Sequence, residues 1–305
     1  MIRKINKIFR KFFEQDVWRI GIVNLDLSEV IERNISESDI KWLNMTSKDY
    51  EADPFIFECN NQKFIAYEIF DYLHGNGKIK CVTLDGQSHD EMFSELNAVK
   101  GHKSFPFTFE ENGNLYCIPE TSDLNEISLY KFNQPKGKFV KLGNLMQGEG
   151  YIDSCIKQID GMYYLFTSTA SEPYKQRLFY SSELLGKYVE HPRSPVANSI
   201  EHGRNAGGII DCRLGLFRVS QNCINGYGSK IHIMKISEIT PTTYSENLVN
   251  IITPTRHDLT GIHTFSSWGN VSVIDAKKSI TKKRNLFRKS IFKLLKLLKL
   301  EINYK

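Results

Sequence analysis

The chain has 305 residues, of which 41% are hydrophobic and 12% aromatic, so it is long enough to bury a substantial core in one large domain. Its six cysteines form no CxxC pair and no zinc-like spacing, which favours buried, reduced thiols over a disulfide framework or a zinc site. Neither a secretory signal nor an unbroken apolar stretch of about 18 residues is found, so a cytoplasmic protein is expected.

Charge is distributed unevenly along the chain. Residues 1–12 carry five basic residues and no acid, and residues 277–305 carry eleven basic residues and one acid. Since the whole chain has a net charge of +5, residues 13–276 carry about −10. The body is therefore acidic, and both ends are strongly basic.

Both basic ends also have helical periodicity. Apolar residues recur at three- and four-residue steps, which predicts amphipathic helices over residues 1–16 and 277–305. Such helices bind anionic membrane surfaces, here through residues 1–12 and 277–305. A solvated tail, or a helix packed on its own domain, is the alternative. Nucleic-acid binding is disfavoured because the acidic body repels phosphate.

The body, residues 17–276, repeats one plan of short strands. Residues 17–23 predict an isolated strand, and five later stretches each begin with a polar residue and continue into an aromatic-rich strand. The anchors of these stretches are spaced by 53, 47, 54 and 56 residues; they are Asp53, Pro106, Asp153, Gly207 and His263. This period predicts an all-β, five-bladed β-propeller whose last blade is completed by the N-terminal strand. Polar side chains at the starts of the innermost strands then converge on the central channel.

Turn signals support the hairpins of this fold. Asn112-Gly113 and Asp160-Gly161 each separate an opening strand from an aromatic-rich second strand. There is no GxGxxG or Walker-type phosphate loop, and no helix-strand alternation of the kind that parallel α/β folds need.

An ordered series of short motifs resembles a known family. The motifs include Trp18-Arg19-Ile20-Gly21, Ala52-Asp53-Pro54-Phe55, Ser104-Phe105-Pro106-Phe107, Ile118-Pro119-Glu120, Gly203-Arg204-Asn205-Ala206-Gly207 and Phe217-Arg218-Val219-Ser220-Gln221. Residues 17–270 are similar to the five-bladed propeller domain found at the N-terminus of glucosamine inositolphosphorylceramide transferases and in bacterial polysaccharide-biosynthesis proteins. This domain is distantly similar to glycoside hydrolase families 43, 32 and 130.

The resemblance implies glycan chemistry carried out by channel carboxylates. Asp53 resembles the first-blade aspartate that acts as base or nucleophile in the related hydrolases, and Asp153 resembles the aspartate that orients the sugar. Glu120, after Pro119, is the candidate general acid, because glycosyl transfer needs a carboxyl group that exchanges a proton with an oxygen. These three are the catalytic candidates.

A basic group is expected where the family 43 hydrolases place their general acid. Arginine binds phosphate oxygens in a bidentate way, so an Arg/His ring could hold the diphosphate of a nucleotide sugar or lipid-linked sugar. The substrate-binding candidates are Glu68, His102, Arg204, Arg218, Gln221, Tyr227 and His263. Each candidate could instead cap a turn, neutralise a neighbour or pack inside a blade.

The sequence therefore favours a glycosyltransferase, or the sugar-recognising component of one, in bacterial surface-polysaccharide or glycolipid biosynthesis. It would act at the cytoplasmic face of the cell membrane on a nucleotide sugar or lipid-linked sugar and a glycan acceptor, with no cofactor and no metal. A hydrolase or phosphorylase of the family 43 or 130 type and a non-catalytic glycan-binding propeller are the alternatives. The donor, acceptor, linkage and stereochemistry are not encoded in any recognisable pattern.

Overall fold

The computed structural model describes residues 14–43, 50–71 and 75–281, which form an all-β propeller of five blades. The predicted terminal helices fall largely on residues 1–13 and 282–305, outside the described residues. Strand structure reaches further than predicted at both ends, because residues 14–18 are paired with residues 277–281 in one sheet.

The elements are numbered in chain order. The N-terminal part holds β1 (Glu14–Val23), α1 (Leu27–Arg33) and β2 (Ile40–Trp42). Blade 1 contains β3 (Tyr50–Cys59), β4 (Gln62–Asp71) and β5 (Asn76–Thr83), followed by α2 (Ser94–Ala98). Blade 2 contains β6 (Ser104–Glu111), β7 (Asn114–Glu120), β8 (Glu126–Asn133) and β9 (Lys138–Gln147).

The remaining blades follow the same antiparallel order. Blade 3 contains β10 (Tyr151–Ile159), β11 (Met162–Thr169), β12 (Lys175–Ser181), β13 (Val189–Glu190) and β14 (Ala197–Asn198). Blade 4 contains β15 (Asn205–Cys212), β16 (Gly215–Asn222), β17 (Lys230–Ile239) and β18 (Tyr244–Ile252). Blade 5 joins β19 (Phe265–Trp268) and β20 (Val271–Thr281) to β1 and β2.

The N-terminal strand closes the ring, as predicted. β1 pairs with β20 along its whole length, from Glu14 opposite Thr281 to Val23 opposite Ser272. The order in the sheet is β19-β20-β1-β2, so the last blade is made from both ends of the chain. Hydrogen bonding between the two ends fastens the circle of blades.

Tight turns connect the two inner strands of blade 2 and of blade 3. Asn112 and Gly113 have φ of 48° and 70°, and Asp160 and Gly161 have φ of 48° and 79°, the left-handed pair that a two-residue hairpin turn requires. Both predicted hairpins are confirmed, since Glu111 pairs with Asn114 and Ile159 with Met162.

The core fills the spaces between neighbouring blades with aromatic and aliphatic side chains. One large cluster spans blades 1 to 4 and includes Phe55, Phe105, Phe166 and Ile209. All six cysteines are free, and only Cys212 is partly exposed, which agrees with the prediction of buried thiols. Within the described residues, no helix has the length and hydrophobicity needed to cross a bilayer.

Candidate functional site

The innermost strand of blades 1, 2 and 3 carries a bulge at an equivalent place. The pairing shifts between Ala52 and Phe55, between Ser104 and Phe107, and between Ile152 and Cys155. The bulged residues have left-handed φ of 53°, 43° and 47°; they are Asp53, Phe105 and Asp153. A bulge redirects a side chain, and aspartate adopts the left-handed region more readily than most residues. The bulges account for two carboxylates that face the channel.

A second repeated position supplies the glutamates. Glu68 lies opposite Ala52 and Glu120 lies opposite Ser104, so each glutamate pairs with the residue just before a bulge. The same position is Ser168 in blade 3, opposite Ile152. Two strand positions, repeated around the ring, thus place four carboxyl groups at one end of the channel.

These groups line a cavity of about 210 Å³. Its lining residues are Tyr50, Asp53, Glu68, Phe70, His102, Ser104, Glu120, Asp153, Arg204 and Tyr227. Pockets for drug-sized ligands usually occupy about 300–1,000 Å³, so this cavity suits one small group such as a single sugar ring.

One wall of the cavity is aromatic. The ring centroids of Tyr50 and Phe70 are 5.7 Å apart, and those of Phe70 and His102 are 5.8 Å apart. Behind them Trp18 contacts Tyr50 edge-on at 6.1 Å. An aromatic wall facing polar groups is the usual composition of a small-ligand site, because the rings supply contact area and the polar groups fix orientation.

The carboxylates also connect neighbouring blades. Asp275 accepts a hydrogen bond from the backbone N–H of Asp53 at 3.1 Å, and Asp53 accepts one from the N–H of Phe105 at 3.2 Å. Glu120 in turn accepts one from the N–H of Asp153 at 3.2 Å. Each bulge leaves a buried N–H that would otherwise lack a partner. The chain of carboxylates therefore ties blade 5 to blade 1, blade 1 to blade 2, and blade 2 to blade 3.

His263 lies behind Asp53 and does not line the cavity. Its Nδ1 is 2.6 Å from Asp275 Oδ2, and its Nε2 is 3.3 Å from Asp53 Oδ1. The ring stacks on Trp18 at 3.9 Å between centroids. Burial alone would lower the pKa of His263, but Asp275 and Asp53 together raise it. His263 thus supports Asp53 from the side away from the cavity.

Asp53, His263 and Asp275 form a group whose ligand atoms lie within 4.8 Å of one another, as metal ligands can. Asp275 already accepts hydrogen bonds from the backbone N–H groups of Asp53, His263 and Thr264. Asp53 accepts from Thr264 Oγ1 at 3.0 Å as well as from the Phe105 N–H. These internal donors satisfy the oxygens, so the group is organised as a hydrogen-bonded network.

Burial raises the pKa values of the cavity carboxyl groups by different amounts. It raises the pKa of Asp53 to about 6, although His263 opposes the shift, and it raises the pKa of Glu120 to about 8, with Asp153 adding to the increase. Burial also raises the pKa of Glu68 well above its usual value. At neutral pH the site therefore holds a protonated Glu120 beside a largely ionised Asp53.

Arg204 and Tyr227 face Asp153 from blade 4. The Nε of Arg204 donates to the Asp153 carboxylate, and its guanidinium lies 5.2 Å from the centre of the Tyr227 ring. This ion pair neutralises Asp153 and leaves Arg204 with only part of its hydrogen-bonding capacity for a ligand.

His102 is held in one orientation by Gly77. The N–H of Gly77 donates to His102 Nδ1 at 2.9 Å, so the ring proton is on Nε2, which lies 3.5 Å from Glu68 Oε1. Burial lowers the pKa of His102, which keeps the ring neutral. His102 can therefore donate one hydrogen bond toward the cavity.

Seven of the ten predicted site residues line the cavity, and Arg218, Gln221 and His263 do not. Arg218 is fully buried inside blade 4, where it forms an ion pair with Glu246 at 2.6 Å. Gln221 is also buried and donates to the backbone carbonyl of Asn205 at 2.9 Å. The expected Arg/His ring for phosphate is thus not assembled: of the predicted arginines only Arg204 reaches the cavity.

Sequence reasoning missed the aromatic wall and the support behind Asp53. Tyr50 and Phe70 pair across β3 and β4 just before the first bulge, and Asp275 lies on the second strand of blade 5. The aromatic pair carries a weak signal, namely its position three residues before Asp53 on one strand and two after Glu68 on the next.

Comparison with known proteins agrees with this architecture. The family model described as "Glucosamine inositolphosphorylceramide transferase 1, N-terminal" matches residues 36–268. Glucosamine inositolphosphorylceramide transferase 1 of Oryza sativa subsp. japonica is 27% identical over 211 residues, which cover 67% of this chain and 28% of that protein. Its namesake in Arabidopsis thaliana is 28% identical over 207 residues, 65% of this chain and 27% of that protein. The chain thus spans less than a third of the length of these relatives.

Solved structures share the fold. A family 117 glycoside hydrolase from Zobellia galactanivorans superimposes with a TM-score of 0.54 at 11% identity, covering 88% of this chain and 91% of that one. An exo-β-1,3-galactanase from Clostridium thermocellum gives a TM-score of 0.51 at 14% identity, covering 68% and 53% of the two chains. At such identities the likeness concerns the fold alone. Because the family model matches most of the sequence, the chain belongs to the glucosamine inositolphosphorylceramide transferase 1 N-terminal family.

Proposed function

We propose that this propeller binds a single sugar ring in its axial cavity and transfers it, as a glycosyltransferase or as the sugar-recognising component of one. The observation that carries the proposal is the convergence of four carboxyl groups from three blades on one small cavity with an aromatic wall. The plant relatives are named glucosamine inositolphosphorylceramide transferases, and a transferase agrees with the proposal in chemical class. Since those relatives are plant proteins, the bacterial setting expected from the sequence has no support among them.

The different pKa values suggest which carboxyl group acts as the acid and which acts as the base. Glu120, whose pKa is about 8, holds a proton at neutral pH and serves as the acid for the oxygen that leaves the sugar. Asp53, whose pKa is about 6, is ionised and serves as the base or stabilises positive charge on the sugar carbon. Pairs of acids whose environments push their pKa values apart are the arrangement that such catalysis uses. Asp153, paired with Arg204, positions the sugar.

The charge of the cavity favours an uncharged sugar over a diphosphate group. Asp153 already neutralises Arg204, and His102 is neutral. With Asp53 ionised, the lining offers no net positive charge for phosphate at neutral pH. This counts against the phosphorylase alternative, and we propose that any diphosphate lies outside the cavity.

A non-catalytic sugar-binding module is the second candidate. The observation in its favour is that Asp53 and Glu120 both accept bulge N–H groups, a structural task that would preserve them without catalysis. A module of this kind would supply specificity to a partner enzyme. It differs from the leading proposal in one measurable respect, which is turnover.

The place of action is part of the proposal. Residues 1–12 and 277–305 are strongly basic, and their charge suits the anionic inner face of a cell membrane. A peripheral protein at that surface would meet acceptors that are anchored to lipid.

The experiment is a turnover screen with purified protein against nucleotide sugars, lipid-linked sugars and simple glycosides. Glu120→Gln should lower the rate by about 10²–10⁴-fold, because it removes the acid while keeping the shape of the side chain. Glu110→Gln, an exposed carboxylate on β6 of the same blade, should leave the rate unchanged. Saturable sugar binding without turnover would favour the binding module, and neither binding nor turnover would end the proposal.

A further inference from the structure

We propose that the face of the propeller that holds the cavity is also its membrane-binding face. This inference goes beyond the proposed function, because it concerns a surface that the cavity chemistry does not require.

The two ends of the described chain leave the propeller on the cavity side. Trp18 on β1 lies opposite Lys277 on β20. Both residues contact residues of the cavity. Trp18 contacts the ring of Tyr50, and Lys277 Nζ donates a hydrogen bond to the Tyr227 carbonyl at 2.6 Å. The paired strands continue for four residues beyond this level, to Glu14 and Thr281. At about 3.3 Å per residue they project about 13 Å past it.

The loops of the same face expose large apolar side chains. The exposed fraction is 37% for Leu124, 43% for Ile200, 52% for Ile224 and 39% for Tyr227. Leu124 follows the strand that ends at Glu120, and Ile224 and Tyr227 follow the strand that pairs with the start of β15. Ile200 lies beside Ile224, since its carbonyl accepts the N–H of Cys223 at 2.9 Å. We call these four residues the apolar rim.

The basic charge of the two terminal segments indicates that this face binds an anionic bilayer. The sequence attached to Glu14 carries five basic residues and no acid in positions 1–12, and residues 277–305 carry a net charge of +10. Both segments start from the cavity side, whereas residues 13–276 are acidic. Basic sequence next to exposed aliphatic and aromatic side chains is the combination that binds anionic bilayers at the headgroup level.

The test is co-sedimentation of the full chain with vesicles of phosphatidylcholine, with and without phosphatidylserine. The double variant Ile200→Asp/Ile224→Asp should bind the anionic vesicles at least about tenfold more weakly than the wild type, because two aliphatic side chains no longer enter the headgroup layer. The matched control, Leu142→Asp/Leu248→Asp, changes side chains of similar exposure, 46% and 45%, on the outermost strands β9 and β18. It should bind like the wild type.

Three results would overturn the inference: no preference for anionic vesicles, an equal loss in rim and control variants, or self-association of the chain through the apolar rim in place of lipid binding. Melting temperatures establish that the variants fold, and Ile200→Ser/Ile224→Ser replaces the rim pair if the aspartates prevent folding.

Failure of the proposed function can be distinguished from failure of this inference, because Glu120→Gln should bind vesicles normally. Vesicle binding without any sugar turnover would count against the proposed function alone, and turnover of soluble glycosides without vesicle binding would count against this inference alone.

Discussion

Blades 1 and 4 share a strand plan but use their charged side chains differently. In blade 1, Asp53 and Glu68 face the cavity, and burial raises the pKa of both. In blade 4, Arg218 points into the blade and is neutralised by Glu246, away from the cavity. The residue of blade 4 opposite Asn205, at the position of Glu68 and Glu120, is Ser220. A displacement of two residues along one strand therefore separates a site residue from a structural ion pair.

The comparison teaches that strand register decides function in this fold. Charged side chains at the cavity position keep a titratable group near the channel, whereas Arg218, two residues before that position on its strand, is enclosed within its own blade.

Breaking the ion pair of blade 4 should damage stability and spare the site. Arg218→Met leaves Glu246 buried without its cation, which should lower the free energy of unfolding by about 3–5 kcal/mol in denaturant titrations. Arg177→Met is the control, because Arg177 pairs with the exposed carboxylates Glu149 and Glu190, and such pairs contribute about 1 kcal/mol or less. Adding Glu246→Gln to Arg218→Met should recover part of the loss. A loss no larger than that of Arg177→Met would mean that the blade 4 pair is not enclosed as described.

Crowding the blade 1 side of the cavity should have a smaller effect on stability but should reach the site. A Cβ at Gly77 would lie 2.5 Å from the Lys103 carbonyl oxygen and 2.6 Å from His102 Cε1, and the carbonyl cannot move away easily. Gly77→Ala should therefore lower the free energy of unfolding by about 1–3 kcal/mol and displace His102, which NMR of the imidazole signals would detect.

Gly143→Ala provides the matched glycine control. Its Cβ would meet only the flexible Leu185 side chain, at 3.2 Å, so little change is expected. Unaltered His102 signals in Gly77→Ala would contradict the proposed packing of His102 against Gly77.

Glu120 of blade 2 and Glu246 of blade 4 should also differ in the direction of their pH dependence. Burial raises the pKa of Glu120 from 4.5 to about 8, so its contribution to stability is complete below about pH 4.5 and is lost as the pH rises toward 8. Burial alone would raise the pKa of Glu246, but Arg218 and Tyr244 lower it, so its contribution is lost as the pH falls. NMR titration of the two carboxyl groups should show the opposite shifts. An ordinary pKa for Glu120 would contradict its enclosure.

The repeat of the blades could be predicted from the sequence because every blade contains a similar number of residues and the same order of strands. The closing strand followed from the same reasoning, since a ring of blades needs a final partner. Asp53 and Asp153 were found because each opens a strand in a recognisable motif.

The remaining features depend on geometry that residue spacing does not carry. The bulge of blade 2 falls on Phe105, one residue before the predicted anchor Pro106, and it supplies an aromatic side chain to the core in place of a carboxylate. Arg218 and Gln221 were expected in the channel on the basis of residue type, but their strand register directs them into the protein. The support of Asp53 by Asp275 joins residues 222 positions apart, and only the closed ring brings them together.

The proposed sugar site depends on side chains from four blades that form one cavity, and crystals soaked with the sugar selected by the turnover and binding screen would show whether a sugar binds there. We expect one ring within the cavity, against Tyr50 and Phe70, with an oxygen within hydrogen-bond distance, about 2.6–3.2 Å, of Glu120. A sugar bound on another surface, with the cavity free of it, would contradict the proposed site.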